Sequence, residues 1–240
     1  MRHLVLLFGL LAATATLADN STAFVEGGAR YQAGDFKGAA ALYESLVDAG
    51  LGTADVHYNL GNVYFRLGLE GKALAAYERA LRVRPRDADA LWNRELLKSV
   101  LADRIESRPP GWLVWLEAVS IDELARVFSA ALCLCALLAV GGYFKPGARA
   151  WRPLRTVALL LLLAAAALFA GKWSQVKDPR AVVIEKEVTA RYGPSVRESR
   201  AFVLHEGALA RVTDQTDEWY RLMLPGRQSG WVPKNSTELV

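Results

Sequence analysis

His3, His57, His205, Cys133 and Cys135 are the side chains of this 240-residue sequence with which reaction chemistry would have to begin. Cys133 and Cys135 have the spacing of half a metal motif, since two thiolates two residues apart can share one soft ion. No histidine lies near them, and the surrounding stretch is uncharged, where cysteine packs as a small hydrophobe. No metal or cofactor is therefore expected. His57 reads as a packed ring edge, and His205 stands before Gly207 at a turn with no Cys, Ser or Asp companion. A hydrolase needs a Ser/His/Asp, Cys/His or ligand cluster, and the sequence offers none. The expectation is a protein that binds rather than reacts.

Composition narrows what it binds. Hydrophobic residues make up 52% of the chain, enough for one or two modest domains plus membrane segments. The net charge of +4 is local: residues 19–110 hold 12 bases against 13 acids, residues 172–240 hold 11 against 9, and Lys145, Arg149, Arg152 and Arg155 supply the excess. Nucleic-acid binding would need bases spread over a folded face, so it is not expected. The basic run separates two uncharged stretches, residues 127–144 and, within 156–173, residues 156–171. At ~1.5 Å per residue the first covers about 27 Å, the depth of a hydrocarbon core, and the second is helped by outward-reaching Arg155 and Lys172. Two spans around a short basic loop, residues 145–155, make a transmembrane hairpin whose turn stays cytoplasmic. Residues 1–18 have the basic start, apolar run and small-residue end of a signal peptide cut after Ala18. The two signals agree on an inner-membrane protein with both ends on the periplasmic side.

Residues 19–107 repeat with a period of 34. Gly27 falls over Gly61, Gly34 over Gly68, Ala39 over Ala73 and Tyr43 over Tyr77, while Tyr58-Asn59 returns as Trp92-Asn93. Leu60, Gly61, Tyr64, Ala73, Tyr77, Ala80 and Pro85 give the second copy a close resemblance to the tetratricopeptide repeat, with His57 in place of the usual aromatic. Small Gly61 and Ala73 let paired helices approach, large Tyr64 and Tyr77 fill the gaps between repeats, and Pro85 ends the second helix. The third copy shrinks to one helix, Asp87 to Asp103, which reads as a cap. The resemblance implies a peptide-binding concave face presenting Asp55, Tyr58, Asn59, Asn62, Phe65 and Asn93. Helix packing is the competing reading of Asn59 and Asn93.

Residues 108–126 open with Arg108-Pro109-Pro110-Gly111, a stiff linker, and continue as an interfacial helix or as the lower turns of the first span. Residues 181–240 change period to short runs of Val, Leu and aromatics broken by Gly-Pro and Pro-Gly turns, the pattern of a small closed all-β barrel. Ala190-Arg191-Tyr192-Gly193-Pro194, Glu218-Trp219-Tyr220 and Gly230-Trp231-Val232-Pro233 are similar to bacterial SH3-like domains. That likeness implies binding of peptidoglycan or protein segments, with Tyr192, Trp219, Tyr220 and Trp231 as the aromatic candidates.

Signal peptide, helical repeats, hairpin and terminal barrel in this order resemble the BatE-type proteins of bacterial aerotolerance operons. The resemblance implies von Willebrand factor A-type membrane proteins and a MoxR-type AAA+ ATPase as partners. The expected function is a non-enzymatic membrane scaffold, with a peptidoglycan sensor as the alternative.

Overall fold

The computed structural model describes residues 21–103, 116–144, 151–226 and 228–240. The signal peptide, the 108–111 linker, Lys145 and Arg149 lie outside these residues. The described chain forms helical repeats, two long apolar helices and an antiparallel sheet.

Helix α1 covers residues 21–32, α2 Phe36–Asp48, α3 Ala54–Arg66, α4 Glu70–Val83 and α5 Ala88–Val100. The starts of α2, α3 and α5 are written locally. Asp35, Thr53 and Asp87 accept hydrogen bonds from the amides of Gly38, Val56 and Ala90, satisfying donors that a helix leaves open. Gly34 and Gly68 have φ of 82° and 72° and turn the chain after α1 and α3, a left-handed position that glycine takes without steric cost. The 34-residue register also holds in the packing. A Cβ on Gly61 would stand 2.5 Å from the Tyr77 ring, and one on Gly27 2.9 Å from the Tyr43 ring. The glycines admit the tyrosines, which are buried with Ala39, Val63, Ala73 and Leu74 in one core. The lone third helix is present as α5.

The two apolar helices are Ile121–Phe144 and Trp151–Lys177, long and apolar enough to cross a membrane. They pack against each other, with Phe128, Phe169 and Trp173 stacked along the contact. The first starts at a capping box in which the Glu123 amide donates to Ser120 Oγ and the Ser120 amide to Glu123 Oε2. Residues 121–126 form the first turns of this long helix. The second is described from Trp151, and Arg152 and Arg155, read from the sequence as part of the basic loop, lie in its helical turns. Arg155 donates to the Leu138 carbonyl across the hairpin. Lys172 does not simply reach outward: its ammonium donates to the carbonyl of Leu116 at 3.0 Å.

The sheet has strands β1 (Arg180–Val183), β2 (Glu187–Arg191), β3 (Arg200–His205), β4 (Leu209–Gln215), β5 (Trp219–Met223), β6 (Ser229–Pro233) and β7 (Thr237–Leu239). They pair antiparallel in the order β3-β2-β6-β5-β4-β1-β7. This is the small antiparallel all-β region expected of residues 181–240. Ala181, Val183, Val188, Ala190, Leu204, Val212, Leu222 and Val232 share a single core drawn from β1 to β6.

Repeats and sheet belong to one compact unit, and residues 108–178 form another. Neither periodicity announces this joint. Alternation along β1 turns Ala181 and Val183 into the sheet's own core, whereas Val182 joins Leu74, Leu97, Leu101 and Val240 in the core of the repeats.

Candidate functional site

Three surfaces of the repeat-sheet unit could hold a partner: the groove of the repeats, the joint, and the outer face of the sheet.

In the groove, Asn93 of α5 is half-buried and donates to Asn62 Oδ1 at 3.0 Å and to the Tyr77 hydroxyl at 3.3 Å. Tyr77 in turn donates to Asn62 Oδ1 at 2.7 Å. Asn59 hydrogen-bonds Tyr43, whose hydroxyl burial pushes above its ordinary range. The asparagines at the equivalent repeat positions thus fasten one helix pair to the next. Asp55 is bidentate with Arg84, at 2.9 Å to each nitrogen, and this guanidinium holds the Asp55 carboxyl below its usual range. A carboxyl with a lowered folded-state pKa stabilises fully above the unfolded value of about 3.8 and loses that contribution as pH falls through the folded one. Replacing Asp55 by Asn should therefore flatten the acid limb of a denaturation series between pH 5 and 2. The change should shrink in high salt, because both side chains are over half exposed.

Three groove groups remain open to solvent. Tyr58 is partly buried over Ala80, Leu81 and Ala90, but Trp92, one period later, is 72% exposed, and Phe65 and Leu96 are exposed as well. The sequence had placed Tyr58 and Phe65 on this face; Trp92 was legible only as the echo of Tyr58. His57 is buried, and desolvation by burial holds its imidazole below the ordinary range, as expected of a packed ring. Leu60, Gly61, Tyr64, Ala73, Tyr77 and Ala80 are all buried; Pro85 is partly buried just past the end of α4.

At the joint, Glu206 is buried and accepts from the Gly71 amide at the start of α4 at 2.8 Å, a favourable place for a carboxylate because the helix end is partially positive. Its other oxygen meets Lys186 at 2.6 Å. Asp103 accepts from the His205 amide at 2.6 Å and faces its ring, while Arg79 pairs with Glu238 at 2.8 Å and donates to the Leu239 carbonyl. A Cβ on Gly71 would lie 2.5 Å from the Val183 carbonyl oxygen, and one on Gly207 2.3 Å from Leu101, so backbone meets its neighbour at both points.

On the sheet, Tyr192 stands exposed at the end of β2, Trp231 and Tyr220 are partly buried, and Lys234 lies 4.8 Å over the Tyr220 ring. Trp219 is buried and belongs to the packing. Among the described residues no group of three or more His, Cys, Asp or Glu side chains is placed to hold a metal ion.

Comparison with known proteins agrees with both halves. Residues 54–87 match the tetratricopeptide repeat family, and residues 185–238 match the bacterial SH3 domain family. A solved NlpC/P60 family protein from Bacillus cereus ATCC 10987 is 18% identical over 28% of this chain and 22% of its own, with a TM-score of 0.23. No curated protein matches the sequence.

Proposed function

We propose that this chain is a non-enzymatic scaffold of the bacterial inner membrane that holds other proteins through its repeats and its SH3-like sheet. In this reading the hairpin is the anchor, the loop at 145–155 is cytoplasmic, and both ends lie on the periplasmic side. The observation that carries it is the joint: two binding modules, separated in sequence by the apolar hairpin, belong to one folded unit. Such a unit presents two partner surfaces at a fixed spacing, which suits assembly of a complex. The order of parts supports a place in a stress-tolerance complex with von Willebrand factor A-type membrane proteins and a MoxR-type ATPase. A second reading, peptidoglycan sensing, rests on the bacterial SH3 match and the exposed Tyr192.

Crosslinked capture from the protein's own membranes tests the first reading. Wild type should recover membrane proteins, and Phe65→Ser with Trp92→Ser should lose those held by the groove without loss of helical signal, because both side chains are exposed. Equal recovery would remove the groove from the function. Recovery of wall fragments alone would favour the sensor.

A further inference from the structure

The outer face of the sheet is divided. Its β1 end, through Val182, is covered by the repeats, and β2, β3, β5 and β6 carry a second row of side chains. Cross-strand pairing places Arg200 opposite Arg191, Arg191 opposite Trp231, Trp231 opposite Arg221, and Arg221 opposite Asp214. Directly opposed residues of a regular antiparallel pair stand on the same face, so Arg191, Trp231 and Arg221 form one line across β2, β6 and β5, with Arg200 and Asp214 at its two ends across shifts in register. The bond from Arg221 to Ser229 Oγ, two residues before Trp231, confirms that Arg221 lies on that face.

Stability does not account for this row. Like charges directly opposite each other weaken a sheet, and Arg191 with Arg200 is such a pair. Arg191, Arg200 and Arg221 have no ion-pair partner among the described residues; Arg191 instead donates to the Glu198 carbonyl at 2.7 Å. Asp214 terminates the row at one end only. Arg191 and Arg221 thus bond only neutral oxygens of the fold, and their positive charge is left without an acidic counterpart among the described residues.

We infer that this row is a docking site for an acidic segment of a partner protein. The inference rests on the protein-binding reading of the sheet given above. Neighbouring strands lie ~4.8 Å apart, so Arg191 and Arg221 flank Trp231 at about 5 Å on either side. In an extended peptide, residues i, i+2 and i+4 share a face at ~6.6 Å spacing. An acid-x-apolar-x-acid segment thus sets its apolar side chain on the indole and reaches the two guanidiniums with its carboxylates. Arginine suits this role because its planar fork binds a carboxylate through two parallel bonds. Arg200 extends the attraction to a further acid.

The test uses full-length protein in nanodiscs of zwitterionic lipid. The probe is a fluorescein-labelled peptide, Gly-Ser-Glu-Ser-Leu-Ser-Glu-Ser-Gly, beside a counterpart with both glutamates replaced by glutamine. Saturable anisotropy with the acidic probe, weakened about tenfold or more by Arg191→Gln with Arg221→Gln and also by Trp231→Ala, is the expected result. The arginine variant should melt no lower than wild type, because it relieves a like-charge pair, and this separates a binding role from a structural one. Equal binding of the glutamine probe, or undiminished binding by the arginine variant, would overturn the inference. Absence of probe binding while membrane-protein capture still depends on Trp231 would overturn it and leave the protein-binding reading intact; loss of both would remove that reading too. Arginine-dependent binding of wall peptides, without binding of the acidic probe, would also overturn it in favour of wall recognition.

Discussion

Gly71→Ala should destabilise the joint between repeats and sheet by about 2 kcal/mol, despite replacing glycine with the best helix former inside a helix. Propensity alone predicts a gain of up to ~1 kcal/mol at such a position, so the sign of the effect decides the matter. The loss follows from geometry. The added Cβ would meet the Val183 carbonyl oxygen at 2.5 Å and the Ile184 Cα at 2.9 Å, and backbone atoms held in a sheet do not swing aside as a side chain does. Relief requires α4 and β1 to separate, which lengthens the bond from the Gly71 amide to Glu206 and leaves a buried carboxylate short of a donor. Hydrogen exchange on full-length protein reads this directly. Amides of β1 and of the first turn of α4 should exchange about 30-fold faster, whereas those of β5 and β6, remote from the joint, should be unchanged. Unaltered exchange at β1 would mean that the two modules do not depend on each other, and the fixed spacing that supports the scaffold reading would go with it.

This joint shows where sequence reasoning stopped. The 34-residue register made the repeats legible, because Gly27 with Gly61 and Tyr43 with Tyr77 recur at one offset and pack in one way. Alternation made the strands of the C-terminal part legible for the same reason: each signal is local. Glu206 and Gly71 are 135 residues apart with two apolar helices between them, and no period links such a pair. The arginine row was hidden likewise. Arg191, Arg200 and Arg221 are scattered in sequence, and only the order β3-β2-β6-β5 lines them up beside Trp231. Asn59 and Asn93 illustrate a subtler limit. Equivalence by register says that both do the same thing, but not whether each amide turns toward a ligand or toward the next helix. Their contacts with Tyr43 and Tyr77 become visible only when the helices are assembled.

Tyr77 is where these two levels meet, and Tyr77→Ala should be the most damaging single change in the repeats, costing ~3–5 kcal/mol as for other buried aromatics cut to alanine. Its ring is 1% exposed and fills the space that Gly61 opens, so truncation leaves a void lined by α3 and α4, which share the most extensive contact in the repeats. Its hydroxyl, which burial keeps protonated well above the ordinary range, donates to Asn62 and accepts from Asn93. Removing it takes one bond from each of two half-buried amides, leaving α5 tied to the preceding repeat through the direct Asn93–Asn62 bond. Tyr77→Phe separates the contributions, since it keeps the ring and deletes only the hydrogen bonds, and should cost about 1 kcal/mol. Thermal unfolding of full-length protein followed by helical circular dichroism should therefore rank wild type above Tyr77→Phe and both far above Tyr77→Ala. If Tyr77→Phe fell as far as Tyr77→Ala, the polar cluster and not the ring would be holding the stack. In that case Asn93→Ala, which removes the bonds to Tyr77 and Asn62 from the α5 side, should also show a large loss.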